Sequence, residues 1–207
     1  MKRCVAVLAA ILAAAPLAAW AATARTEAGA LRGSDADGIS AYVGVAFAAA
    51  PVGSLRWREP QPVQPWTGVR DATAFAPACP QLGVSMPGEP NPKTAEDCLY
   101  LNVWTPAKRP AEMLPVMIFI HGGGYTNGAT SLPLYWGDRL AKRGAVVVTI
   151  AYRLGVLGYL AHPELTAESP HHSSGNYGLM VTLRLSVAIR DGLRSSASRP
   201  ALCRSAC

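Results

Sequence analysis

Pro115-Val116-Met117-Ile118-Phe119-Ile120-His121-Gly122-Gly123-Gly124 is the stretch on which the reading of this chain turns. The apolar run predicts a fully buried strand, and the three glycines end it. With no Cβ to shield them, the backbone N–H groups of such a turn stand bare. They can converge on one oxygen and stabilise the charge that develops on it during acyl transfer. No G-x-S-x-G, the turn that carries the nucleophile beside such a loop, occurs in the 207 residues. The sequence points to a chemistry and lacks the group that would start it.

Outward from this stretch the pattern continues. Residues 131–143 predict a short helix, and Ala145-Val146-Val147-Val148-Thr149-Ile150-Ala151 a β-branched buried strand. Upstream, Leu99 to Thr105 predicts another strand. Strand, helix, strand with continuous apolar strands is the grammar of an α/β fold around a mostly parallel sheet. Ser174-Gly175-Asn176 signals a helix start. Near the N-terminus, Ala30–Gly33 and Ile39–Val45 flank the turn-rich Ser34-Asp35-Ala36-Asp37-Gly38, which predicts a β-hairpin. Residues 48–95 are proline-rich without helical periodicity, and so predict a long coil lying over the body. A loop of that length is more natural as the cover of a large domain than inside a small one.

Half of the residues are hydrophobic, enough for a packed core. The first segment stands apart from it. Lys2 and Arg3 precede an apolar run from Val5 to Trp20, and Ala19-Trp20-Ala21 offers a small-x-small cleavage site. Residues 1–24 therefore predict a secretory signal peptide, with a secreted or periplasmic product. Pro16 and the shortness of the run argue against a membrane anchor. The net charge of +6 gives no support to nucleic-acid binding once it is located. Residues 25–180 hold twelve basic and twelve acidic side chains, and the excess lies in Lys2, Arg3 and five arginines after residue 180.

In an oxidising compartment Cys79, Cys98, Cys203 and Cys207 can pair in three ways. Of these, Cys79–Cys98 closes a Pro-, Gly- and Ser-rich loop of about 20 residues, contributing roughly 3 kcal/mol in the chain-entropy model. No C-x-x-C or His–Cys spacing supports a metal site, and no cofactor is expected.

Taken together, the motifs resemble the type B carboxylesterases, the cholinesterase-like branch of the α/β-hydrolases. Glu96-Asp97-Cys98-Leu99-Tyr100-Leu101-Asn102-Val103-Trp104 is similar to that family's second signature. Pro51-Val52-Gly53-Ser54-Leu55-Arg56-Trp57, Trp66-Thr67-Gly68-Val69-Arg70-Asp71-Ala72, the His-Gly-Gly-Gly loop, Tyr152-Arg153-Leu154-Gly155 and Gly175-Asn176-Tyr177-Gly178-Leu179 occur in the family's order. Hormone-sensitive-lipase-like esterases share the glycine loop; the cysteine signature decides for type B. The resemblance covers residues 25–180 and implies the N-terminal part of an α/β-hydrolase central sheet, an incomplete domain. It implies that Gly123 and Gly124 supply oxyanion-hole N–H groups, that Cys79 pairs with Cys98, and that Arg56 and Glu96 form a buried ion pair. The ion pair would tie the covering loop to the first sheet strand. His121 resembles a supporting residue of the turn rather than the catalytic base. The implied partner is a small-molecule ester.

The departures from the family's pattern carry as much weight. The serine, the acid and the histidine cannot be located, and His162, His171 and His172 precede the place where the serine is expected. They are read as loop residues, and Ser173 and Ser174 as part of a Gly-Asn turn. Where the family continues with Asp-Gln, this chain has Val181-Thr182. The resemblance pairs that aspartate with the arginine matching Arg153, and a buried arginine without its partner costs on the order of 3–5 kcal/mol. At the same point the composition changes: Val181 to Cys207 contains no aromatic residue, no Lys and no Glu, but much Arg, Ser, Ala and Leu. Residues 181–207 are therefore read as a tail foreign to the family, of the kind a frameshift in a GC-rich gene produces. The expected function is that of an N-terminal fragment of a secreted serine carboxylesterase, inactive as given because the triad is missing. The alternative is a non-catalytic secreted binding module of the same family.

Overall fold

A computed structural model describes residues 22–83, 91–109 and 112–196. The predicted leader, with Cys4, and the end of the tail, with Cys203 and Cys207, lie outside the described residues apart from Ala22–Ala24.

Among the described residues, eight strands form two sheets. A three-stranded one joins β1 (Thr23–Arg25), β2 (Ala30–Arg32) and β5 (Val69–Asp71). The main sheet has five strands in the order β3-β4-β6-β8-β7: β3 (Ser34–Ala36), β4 (Ile39–Ala46), β6 (Tyr100–Thr105), β8 (Val146–Ile150) and β7 (Val116–Ile120). The helices are α1 (Asp138–Ala141), α2 (Gly155–Tyr159), α3 (Pro163–Glu168) and α4 (Tyr177–Ser196).

Three expectations are corrected here. The described sheet is not mostly parallel: β3–β4, β4–β6 and β6–β8 are antiparallel, and only β7–β8 is parallel. Among the described residues an α-helix joins β7 to β8, the connection that lets neighbouring strands run the same way. The hairpin sits one element later than expected. Its turn is Asp37-Gly38, with φ of 51° and 76°, and it joins β3 to β4, while Ala30–Arg32 leaves for the smaller sheet. A two-residue turn with positive φ at both positions matches the twist of the strands it joins. Finally, Val116–Ile120 is not fully buried. It is an edge strand, with Met117 48%, Phe119 37% and Ile120 44% exposed.

The helix expected over residues 131–143 is shorter: a 3-10 turn at Pro133–Tyr135, then α1. The proline-rich segment is largely irregular, as read, but it contributes β5. α4 runs without interruption through the position where the composition changes.

The core follows from alternation. Val148 and Ile150 of β8, with Leu101 of β6, pack beneath Leu185 and Ile189 of α4. Val147 points the other way, to Trp104, Ile39 and Ala141. Both faces of the inner strands are covered, so their sequences read as continuous apolar runs. Asn102 of β6, 2% exposed, is a polar exception, with Thr149 of β8 beside it. Its Oδ1 accepts from the Gly44 N–H at 2.9 Å, and its Nδ2 donates to Thr149 Oγ1 at 2.9 Å. Gly44 lies at a register shift of β4 with φ of 72°, and a Cβ there would stand 2.3 Å from the Ala74 carbonyl. The asparagine of the second signature thus satisfies an N–H that the bulge removes from the strand ladder.

Candidate active site

β7 ends at Ile120, and the chain turns at once through the glycines. Residues 122–126 are exposed, while His121 and Gly128 at the two ends of the loop are buried. The turn is tight because the Gly123 carbonyl accepts from the N–H groups of Thr126 and Asn127, at 3.1 and 3.2 Å, and from Thr126 Oγ1 at 3.0 Å. Gly123 has φ of 119°, and a Cβ on it would lie 1.9 Å from the Asn127 carbonyl oxygen. No other residue fits that position without opening the turn. Among the described residues, the N–H groups of Gly123 and Gly124 donate to no protein acceptor.

His121 anchors the near end. Its ring stacks on Tyr152, with centroids 4.5 Å apart, and the Tyr152 hydroxyl donates to the His121 carbonyl at 2.9 Å. Nδ1 lies 2.9 Å from the Gly122 carbonyl, which can only accept, so Nδ1 carries the proton. Burial pushes the pKa of His121 down, with the Gly122 carbonyl opposing it. A neutral histidine tied on both sides acts as a brace.

The covering loop is fastened beside this turn. Cys79 and Cys98 are bonded, with Cα atoms 5.0 Å apart, and both are buried against Leu99, Tyr152, Leu154 and Val181. Arg56 Nε and Nη2 donate to the two carboxylate oxygens of Glu96 at 2.6 and 2.7 Å. This bidentate pair holds the Glu96 carboxyl below its ordinary range and raises the Arg56 guanidinium. Contrary to the expectation of burial, its side chains keep 37% and 29% of their surface, so the pair is only partly withdrawn from solvent.

Arg153 is buried, with Nη1 on the Arg58 carbonyl at 2.8 Å and Nη2 on the Tyr177 carbonyl at 3.1 Å. Nε is buried without a partner, no carboxylate pairs with Arg153 among the described residues, and desolvation lowers its pKa to about 10. Val181 is wholly buried.

The other histidines sit in exposed loop positions. His162 caps α3, where its Nδ1 accepts from the Glu164 N–H, and His171 faces Glu59 at 3.2 Å. Ser174 Oγ lies 2.7 Å from Thr166 Oγ1, bracing the loop before α4. A groove of about 410 Å³ lies between Pro60–Pro65 and α4, lined by Phe47, Val181, Arg184 and Leu185. None of the glycine-loop residues lines it. No three His, Cys, Asp or Glu side chains cluster as metal ligands among the described residues, and no described helix is long and apolar enough to cross a membrane.

Sequence reasoning did not find the Tyr152 hydroxyl as a holder of the loop, nor Gly128 and Gln81 at its far end. Positive φ at Gly128 (132°) leaves only a glycine as its signal, and the contacts are long-range.

The sequence and the fold match known proteins. The sequence pattern of the carboxylesterase family matches residues 21–183. The fumonisin B1 esterase of Sphingopyxis macrogoltabida is 45% identical over 175 residues, which make up 84% of this chain and 32% of that protein. The para-nitrobenzyl esterase of Bacillus subtilis (strain 168) is 44% identical over 138 residues, 65% of this chain and 28% of that one. A carboxylesterase structure from Geobacillus stearothermophilus superposes with a TM-score of 0.69 at 37% identity, covering 81% of this chain and 33% of the other. The fold is that of the α/β-hydrolases, present as a partial domain. Within that class the chain belongs to the carboxylesterase family, and it spans about a third of the length of the relatives it matches.

Proposed function

We propose that residues 25–180 are the N-terminal portion of a serine carboxylesterase domain, and that Gly123 and Gly124 supply two donors of its oxyanion hole. The two unbonded N–H groups on a braced turn at the end of β7 are the observation that supports this reading. In the complete enzyme a serine attacks the ester carbonyl and a histidine, oriented by an acid, takes its proton. The glycine N–H groups hold the oxygen while it is negative. None of these three side chains is identified in this chain. The substrate is a small-molecule ester. A secretory leader ends near Ala21, ahead of Thr23–Arg25 of β1, the product acts outside the cytoplasm, and residues 181–207 are a frameshifted tail. Reading the gene through the codons for residues 170–207 tests that last point: another frame should continue with Asp-Gln and then G-x-S-x-G.

The chemistry is tested by a chimera in which residues 25–180 replace the matching part of the Bacillus subtilis para-nitrobenzyl esterase. It should hydrolyse a short p-nitrophenyl ester, and Gly123→Ala in it should lower kcat by roughly 100-fold, the loss typical of one displaced oxyanion donor. The 207-residue chain alone should give no turnover above background. Turnover by that chain after removal of contaminating esterases, or a chimera indifferent to Gly123→Ala, would sink the reading.

A further inference from the structure

We propose that Gln81 is the positioning residue of the glycine loop, a carboxamide clamp that transmits the rigidity of the disulfide-closed cover to the Gly123 and Gly124 N–H groups. The proposal rests on the oxyanion-hole reading for its functional meaning, but the clamp itself is a matter of geometry.

Gln81 Nε2 donates to the Gly128 carbonyl at 2.8 Å, and the Gly128 N–H donates back to Gln81 Oε1 at 2.8 Å. The second hydrogen of the amide goes to the Cys79 carbonyl at 3.0 Å. One side chain therefore satisfies both backbone groups of a single buried residue, as a neighbouring strand would, while fastened to the backbone beside the disulfide. Gly128 is thus held through both of its peptide groups, the preceding one by its N–H and the following one by its C=O, which fixes its orientation as well as its place.

Gly128 is where that fixation counts. A Cβ on it would lie 2.0 Å from His121 Nδ1 and 2.7 Å from the Gly122 carbonyl, so its backbone packs directly on the first residues of the loop. Between His121 and Gly128, the Gly123 carbonyl gathers three hydrogen bonds from Thr126 and Asn127, which makes the segment one turn rather than a floppy arc. Tyr152 holds the near end through His121, and Gln81 holds the far end. Donors in an oxyanion hole help only if they are fixed before the charge appears, so both anchors are needed. No local pattern marks Gln81: 47 residues separate it from its partner.

Amide hydrogen exchange of the full 207-residue chain, read by NMR, tests this. The Gly128 amide should be protected in the wild type. Gln81→Met keeps the length and removes the hydrogen bonds. It should speed exchange at Gly128 by about ten- to a hundredfold, the effect of losing one or two net hydrogen bonds, with the Val148 and Ile150 amides unchanged. Gln81→Glu supplies a readout that a merely structural role would not move. Below the ordinary glutamate pKa of about 4.3 its protonated carboxyl offers one donor and one acceptor and restores both bonds; above it the carboxylate keeps only the bond it accepts from the Gly128 N–H and turns a negative charge on the Gly128 carbonyl, so the protection factor at Gly128 should be lower than in acid. An unprotected Gly128 in the wild type would overturn the clamp. So would unchanged exchange in Gln81→Met, acceleration spread equally over β6 and β8, or a Glu variant indifferent to pH. The wild-type measurement decides even where a variant does not fold. Failure of the oxyanion reading would show instead in the Gly123→Ala chimera, which these exchange rates do not touch.

Discussion

His121 is kept neutral by burial, and that gives the fold a pH dependence with a definite sign. Its folded pKa lies below the ordinary 6.5, so on acidification the unfolded chain takes up the proton first. Stability contributed by the neutral ring is complete above 6.5 and is lost as the pH falls from there toward the depressed value. The carboxyls of Asp37, Asp71 and Glu96 are lowered by their cationic partners from 3.8, 3.8 and 4.5, so their losses begin only in that more acidic range. The urea midpoint should therefore fall between pH 7 and pH 5. His121→Phe, which keeps the stacking on Tyr152 and removes the titration, should flatten that slope. Arg153 invites a second substitution. Position 181 lies one helical turn beyond Tyr177, whose carbonyl already takes one guanidinium bond. Val181→Asp supplies the missing anion at the cost of one valine's packing, and denaturation should show a net gain of about 1–2 kcal/mol.

Among the elements, β7 leaves apolar side chains on a free edge of the main sheet. It pairs on one side only, with β8, and presents Met117, Phe119 and Ile120 to solvent. No charged residue interrupts the strand, so it lacks the usual protection of a free edge. Phe119 finds partial cover against Tyr135, with ring centroids 4.8 Å apart, whereas Met117 is nearly half exposed. Met117→Lys should reduce concentration-dependent self-association, measured by sedimentation velocity, and leave the urea midpoint almost unchanged. α4 shows the opposite balance: Val181, Leu185 and Ile189 are all buried, so one face of it is fully used by the sheet and the cover.

For the molecule as a whole, the cover is fastened to the body at many points, among them the disulfide, the Arg56–Glu96 pair, the Gln81 amide, the Arg58 carbonyl under Arg153 and the pairing of β5 with β2. The disulfide spans 19 residues of sequence. A closure of that size contributes roughly 3 kcal/mol, chiefly by restricting the unfolded chain. Chemical denaturation of a Cys79→Ala/Cys98→Ala variant should show a loss of that order. A loss of this size is a large part of the roughly 5–15 kcal/mol typical of a domain.

The amino-acid sequence alone determined the family, because its signatures are contiguous stretches that keep their spacing whatever they pack against. It also determined β8 and β6, whose apolar runs need both faces covered, and the start of α4 after a Ser-Gly-Asn turn. Tertiary structure decided what depends on neighbours distant in sequence. That β7 lies at an edge is invisible locally, since an apolar strand reads the same with one partner or two. The displaced hairpin follows from Ala30–Arg32 finding β5, some forty residues away, as its partner. The antiparallel pairings of the main sheet depend on which strands meet, and the partial exposure of Arg56–Glu96 on what covers the loop. The Tyr152 and Gln81 anchors of the glycine loop share that cause: each joins a side chain to a backbone group far along the chain, and such a bond leaves no periodicity to read.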